Sequence, residues 1–459
     1  MTANESLAHW VATVSSEHTP LSLKRAKTAL IDTLGCMVIG HGHPAAQHSI
    51  AAVSQWGRGA STAVGLSERL PAPWAALVNG TAAHALDLDD YNEFPSFGHP
   101  SAVLLPAVLA LGEERHTSGA EVLDAFIVGL EVLMRVGEAV NVAHYNLGWH
   151  ASATLGVLGA AAGCARLLGL NTNATSAALS IASSCAAGYN SQFGTMTKPL
   201  HIGLAAHSGV LAAQLAATGI TASTMTLDGK WSFLTLLSTQ DAQGFEVPLA
   251  KLGNPLAIDE YGLSIKRYPC CSATHRAIDG VISLRTAHRF SPAEVAAITV
   301  RIRSTYIDLL PFALPSNSGE AQFSMPYCVA VALLTGNVGF EDFTLPAINR
   351  PEVGALIPLV TLESHPLVQA HPQAKGDSPM PDIVTIKLRD GRILETSIDD
   401  ASGMPNCPLS QAELWDKFTG CTQGVLGERS HQSLQHLLNQ FEALEDLNEL
   451  MGYLREPTS

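Results

Sequence analysis

The chain has 459 residues, 47% hydrophobic and only 15% charged, enough apolar material for a large core and unlike a disordered or fibrous protein. A formal net charge of −15, with no local cluster of lysine or arginine, argues against nucleic acid as a partner. Met1 to Leu21 lack the basic start and apolar run of a secretory leader, and the eight cysteines form no Cys-x-x-Cys pair, so reduced thiols in the cytoplasm are expected.

Read in chain order, apolar positions recur at helical spacing from Leu23 to Ile39, and Gly40-His41-Gly42-His43-Pro44 ends that helix. Ala46–Val53 follows, then a short extended segment at Ser61–Gly65, then a helix over Pro73–Ala85. Pro106–Glu113 and Gly119–Val140 read as two amphipathic helices. Residues 139–165 and 167–197 contain no Asp, Glu, Lys or Arg, a length that could span a bilayer. Interruption by Asn, Gly, His, Ser and Thr predicts small-residue helices buried on one another instead, over Ala151–Leu168 and Ala174–Cys185, and no membrane partner is expected. Ile202–Thr218 is a further helix, closed by Gly219.

The pattern changes after Lys266. Ala296–Arg303 alternates with period two, and Asp382–Leu388 and Arg392–Ser397 flank Asp390-Gly391 as a hairpin, with helices over Ile278–Ala287 and Tyr327–Leu334 between. From Gln411 the chain turns helical again. The expected fold is mainly α with an α+β insert: a helical domain over 1–265, a smaller α+β lid domain over 266–399, and C-terminal helices over 400–459 packing back on the first domain. Pro372–Pro381 is the expected disordered loop.

Chemistry concentrates in four segments. His84-Ala85-Leu86-Asp87-Leu88-Asp89-Asp90-Tyr91 sets three carboxylates and a histidine in an apolar run, and Gly98-His99-Pro100 follows. On a helix, the spacing of three puts His84, Asp87 and Asp90 on one face, while Pro95, Gly98 and Pro100 carry His99 on a loop. A helix-cap cluster and a metal site are both consistent with this spacing. With no close His-x-x-x-His or Cys pair, no metal is assigned.

No lysine occurs between Lys27 and Lys198, and Lys198 sits among small and apolar residues, so it pairs with one of Asp87, Asp89 or Asp90, snorkels to water or meets an anionic ligand. Lys266-Arg267, followed by His275, would suit carboxylate capture. In His144-Tyr145-Asn146-Leu147-Gly148-Trp149-His150, Gly148 suggests a tight turn that holds His150 at a helix N-terminus, where a neutral imidazole can act as a base. His144, Tyr145 and His150 could equally be buried polar residues with satisfied hydrogen bonds. A Gly-x-Ser-x-Gly elbow, a P-loop and a dinucleotide fingerprint after a strand are all missing from the sequence.

As a set, and in this order, the sequence resembles the MmgE/PrpD family through His84-Ala85-Leu86-Asp87-Leu88-Asp89-Asp90 with Gly98-His99-Pro100-Ser101, Gly148-Trp149-His150, Gly194-Thr195-Met196-Thr197-Lys198-Pro199-Leu200-His201, and Lys266-Arg267-Tyr268-Pro269 with Cys271 and His275. The resemblance implies a helical domain with an α+β lid, an active site in the cleft between them, homodimers and no cofactor. It also implies activity on small di- or tricarboxylates: 2-methylcitrate dehydration, cis-aconitate decarboxylation or iminodisuccinate epimerisation. Carried over residue by residue, its functional positions fall on Asp87, His99, His150, Lys198, Lys266 and Tyr327. Cys271 stands where the decarboxylase branch has a histidine, and the His144 to His150 segment with Met196 is closer to the epimerase-like branch.

Taking a proton from carbon beside a carboxylate needs fixed positive charge and a placed base. Lys198 and Lys266 are expected to supply the charge and His150, His99 or Tyr145 the acid and base, with Asp87 orienting a histidine. Tyr91, Met196, His275 and Tyr327 are expected to contact substrate. A dehydratase is the leading expectation and an epimerase the second. A non-catalytic carboxylate-binding protein, and a metal-dependent hydrolase using His84, Asp87, Asp90 and His99, are the alternatives from other classes.

Overall fold

Small residues decide how closely the helices of this protein approach. In the computed structural model, which describes residues 1–239, 242–365 and 380–455, the chain divides into two units. One is formed by Met1–Ile265 with Ser410–Ser459, the other by Lys266–Leu409. The fold is mainly α with a smaller α+β portion.

The first unit is built on α1 (Pro20–Gly40), α2 (Ala72–His84), α3 (Pro100–Arg115), α4 (Gly119–Val140), α5 (Ala151–Leu167) and α6 (Thr197–Ala217). The layer α2, α5 and α6 packs with α3 and α4, and α1 packs on α2 and on the helix Gln411–Thr422. Gly203 lets α6 press against α2: a Cβ there would lie 2.2 Å from the Leu77 carbonyl oxygen and 2.3 Å from Thr81 Oγ1. The first charge-free run supplies a core helix, α5, buried along nearly its whole length, whereas residues 183–197 of the second are mostly half-buried or exposed. α6 is the one helix among the described residues long and apolar enough to cross a membrane by length and composition, and it is packed on α2 and α5.

Two helices differ from the sequence reading. α3 starts at Pro100, whose missing N–H suits the first helical position, and continues through Pro106 rather than starting there. α4 has no solvent-facing polar side. Apart from Glu121 in the first turn its charged residues turn inward, where buried Arg135 reaches Glu131 at 2.8 Å and Glu138 and Glu260 at 2.9 Å each. The segment Ser61–Gly65 forms only a single bridge, Ser61 to Leu70.

The second unit carries a four-stranded sheet in the order β2-β1-β3-β4, with β1 (Val295–Ile302), β2 (Val360–Ser364), β3 (Asp382–Leu388) and β4 (Ile393–Ile398). β1 is parallel to β2 and antiparallel to β3, and β3 and β4 form the hairpin around Asp390-Gly391, where Gly391 takes φ +93°. β2 escaped the sequence reading because it is short and mostly exposed, with no clean alternation. Helices α7 (His275–His288) and α8 (Met325–Thr335) pack on each other and on the sheet. The stretch Pro372–Pro381 lies largely outside the described residues.

Candidate active site

The site begins where α2 ends. The helix stops at His84, and Asp87 takes the left-handed conformation at φ +51°, which aspartate tolerates better than most residues. This corrects the one-face reading of His84, Asp87 and Asp90. The carboxylates lie on a loop whose turn folds Asp89 back onto the His84 ring, and Asp90 faces elsewhere. Asp90 accepts hydrogen bonds from the Ser101 hydroxyl and, at 3.3 Å, the Ser101 N–H at the start of α3. Burial pushes the Asp90 carboxyl well above the usual range.

Asp89 serves two imidazoles. His84 Nδ1 lies 2.8 Å from Asp89 Oδ1, and His99 Nδ1 lies 3.2 Å from Asp89 Oδ2 and 2.9 Å from the Asp90 carbonyl oxygen. Each of those oxygens can only accept, so both rings carry a proton on Nδ1, leaving Nε2 as the atom that can exchange one. The rings stand 4.3 Å apart, and their Nε2 atoms lie 3.8 Å (His84) and 3.9 Å (His99) from Asp87 Oδ1. Burial pushes His84 down to about 3, so it is neutral at physiological pH. Burial alone would raise Asp89, but the His84 and His99 rings override it and hold the carboxylate well below its usual value.

Lys198, in the first turn of α6, donates to Asp87 Oδ1 at 2.5 Å and lies 5.4 Å from the Phe193 ring centroid. The ion pair that the lysine-free run anticipated is therefore formed, with Asp87. His150 caps the N-terminus of α5, with its N–H on the Gly188 carbonyl at 3.0 Å. Its ring is buried, 6.3 Å from His84 and 5.2 Å from Phe193, and its Nδ1 lies 3.1 Å from His201 Nδ1. Burial, then Lys198, pushes His150 well below the usual histidine value. Gly98 brings the His99 loop against α5: a Cβ on it would lie 2.7 Å from Ser152 Oγ, which accepts the His99 N–H at 3.0 Å.

Of the residues expected from sequence, Asp87, His99, His150 and Lys198 are thus gathered from three of those segments, all in the first unit. Tyr91 is buried and pairs with Ser264 through backbone bonds of 2.9 and 2.8 Å. Tyr145 is half-buried, with its ring 5.4 Å from Phe97, and Met196 is half-exposed at the start of α6. His144 takes the structural role, fixed at 2.7 Å to both the Leu237 carbonyl and Thr154 Oγ1. Lys266, His275 and Tyr327 belong to the second unit and are all buried. There His275 Nε2 stands 3.2 Å from the Cys270 carbonyl oxygen, and the Tyr327 hydroxyl donates to the Asp342 carbonyl.

Sequence reasoning missed the roles of Asp89, His84 and His201, because helical spacing cannot anticipate a left-handed turn or a contact between distant helices. It also missed Lys417, which donates to the Leu88 carbonyl at 2.8 Å and pairs with Asp32, clamping the carboxylate loop. His84, Asp87, Asp89 and His99 each offer an atom within 4.8 Å of the others. A divalent ion there would face the Lys198 ammonium on Asp87 and an Asp89 already engaged by two imidazole N–H groups. This donor set fits proton transfer beside an anion better than metal coordination.

Residues 5–246 match the MmgE/PrpD N-terminal domain and residues 268–442 the MmgE/PrpD C-terminal domain. The chain belongs to the MmgE/PrpD family. Its relatives include the cis-aconitate decarboxylases of Mus musculus and Homo sapiens, each 31% identical to it over 95% of this chain and 90% and 91% of theirs. The cis-aconitate decarboxylase of Aspergillus terreus (strain NIH 2624 / FGSC A1156) is 27% identical over 98% of this chain and 95% of its own. In this MmgE/PrpD chain the Asp87–Lys198 pair and the two imidazoles fixed by Asp89 form one buried polar cluster of the helical unit.

Proposed function

We propose that this protein is a lyase that removes the proton from the carbon beside a carboxylate of a small di- or tricarboxylate, with loss of water from the neighbouring carbon as its reaction. The observation that carries this reading is the pair of imidazoles, their Nδ1 protons fixed by Asp89 and their Nε2 atoms 3.8 Å and 3.9 Å from Asp87 Oδ1 of the buried Lys198–Asp87 pair. His99 is the better placed base, its side chain 13% exposed where that of His84 is wholly buried. Lys198 stabilises the negative charge that develops on the carboxylate as the C–H bond breaks, an effect that is large where water is excluded. Asp87 holds that ammonium in place. Lys266 and Tyr327 enter this reading as positions that the family resemblance implies, and Tyr91, Tyr145, Met196 and His275 as expectations from the sequence.

Decarboxylation is the second reading, supported by the relatives named cis-aconitate decarboxylase. In it the same histidine delivers a proton to carbon as carbon dioxide leaves. Cys271, with no imidazole to offer, favours dehydration over it. Proton NMR in D₂O with 2-methylcitrate, cis-aconitate and iminodisuccinate separates the outcomes. A new olefinic signal with loss of water supports dehydration, and release of carbon dioxide supports decarboxylation. Deuterium entering the α-position without elimination supports an epimerase. No exchange and no product with any of the three would leave a carboxylate-binding protein.

A further inference from the structure

His201 has no part in the proton abstraction described so far, yet its surroundings are built around the base region. It lies one turn after Lys198 on α6, and its Nδ1 meets His150 Nδ1 at 3.1 Å with the rings 5.3 Å apart. Gly188, at φ +138°, serves both residues. Its carbonyl accepts the His150 N–H, and a Cβ on it would come within 3.3 Å of His201 Nδ1. Two Nδ1 atoms at this distance share one proton: with two the donors would clash, and with none the lone pairs would.

The surroundings of the two rings differ. His150 is 2% exposed and has Lys198, His84 and His99 around it, so a positive charge on it is poorly tolerated. His201 is 8% exposed, farther toward solvent. We infer that His201 is the proton relay of His150, taking the Nδ1 proton across the shared hydrogen bond when His150 Nε2 is protonated. The balance is simple. His99 takes the C–H proton while the electron pair stays on the substrate, and when that proton is passed on to His150 Nε2 the His150 Nδ1 proton passes to His201 Nδ1. This leaves His150 neutral, with Nε2–H ready to act as an acid, and His201 as the imidazolium. Reprotonation of substrate or product by His150 reverses the relay. The inference rests on the function proposed above and adds a second proton-transfer group to it.

Two variants of the full-length protein test it. His201→Asn keeps a hydrogen-bonding atom near the Nδ1 position but cannot hold a proton, and His201→Leu removes both capacities. Both should lower kcat about 10-fold or more with KM within about twofold, because the step lost is proton transfer and not binding. In ¹⁵N-histidine-labelled wild type without substrate, one of the two Nδ1 atoms should carry a proton and the other should not, and the His150 signals should move in both variants. Wild-type kcat in His201→Asn would overturn the relay, since the hydrogen bond alone would then suffice. So would two protonated or two bare Nδ1 atoms. A wild-type enzyme inert toward carboxylates, with the shared proton intact, would refute the proposed function and the relay with it. An active enzyme unaffected by His201→Asn refutes the relay alone.

Discussion

Replacing Asp89 by asparagine tests the tautomer argument directly. One carboxylate accepts from His84 Nδ1 at 2.8 Å and faces His99 Nδ1 at 3.2 Å, and His99 Nδ1 also has the Asp90 carbonyl at 2.9 Å. An amide has one accepting end and one donating end. Whichever way the new side chain turns, its NH₂ meets an imidazole N–H, and one ring must either flip its tautomer or leave a buried donor unpaired. The unpaired donor costs about 1–3 kcal/mol of stability. If the amide carbonyl faces His84, the clash falls on His99, whose Nδ1 proton is held by the Asp90 carbonyl. If the amide is reversed, His84 flips and turns an N–H toward the Lys198–Asp87 pair. The first arrangement degrades His99 itself and the second sets a new N–H beside the Lys198–Asp87 pair that the base works against, and general-base catalysis is worth about 10²–10⁴-fold. The expected result is a folded protein, destabilised by about 1–3 kcal/mol in urea, with α-proton exchange in D₂O slowed by at least about 10²-fold. Exchange within about threefold of wild type in a folded Asp89→Asn protein would refute the assignment of Nδ1 protons to Asp89.

Three further outcomes are expected. Lys198→Met should abolish turnover and lower stability by about 3–5 kcal/mol, because it leaves the Asp87 carboxylate buried without its cation; adding Asp87→Asn should restore much of the stability and none of the activity, by thermal melts and NMR turnover. Gly98→Ala should lower kcat while Ser152→Ala in the same chain rescues it only in part, since a Cβ at position 98 meets both Ser152 Oγ at 2.7 Å and the Ser152 backbone nitrogen at 2.8 Å; full rescue would show that the side chain alone sets the approach. His144 is held neutral by burial, which pushes it down to about 4 from an unfolded value of 6.5. The unfolded state therefore takes up the proton first as pH falls, and the stability that His144 contributes is present above pH 6.5 and declines between there and about 4. The stability difference between wild type and His144→Gln should shrink by about 2 kcal/mol from pH 7 to pH 5, and a pH-independent difference in denaturant titrations would contradict this.

The sequence by itself determined the small-residue helical core, the α+β insert and the Asp390-Gly391 hairpin, because periodicity, charge-free runs and turn chemistry are local properties. The chemistry-bearing segments were legible too: a lysine alone in a run of small residues had to pair, reach water or meet an anion, and the structure pairs Lys198 with Asp87. Tertiary structure decided which carboxylate did what. Asp87 in a left-handed turn breaks the helical spacing that had grouped it with Asp90, sends Asp90 to Ser101, and hands both imidazoles to Asp89. The His150–His201 contact joins residues 51 positions apart, and the Lys417 clamp on Leu88 joins residues 329 apart. These contacts form only when helix packing, set by glycines such as Gly98 and Gly203, brings backbones closer than any side chain would allow.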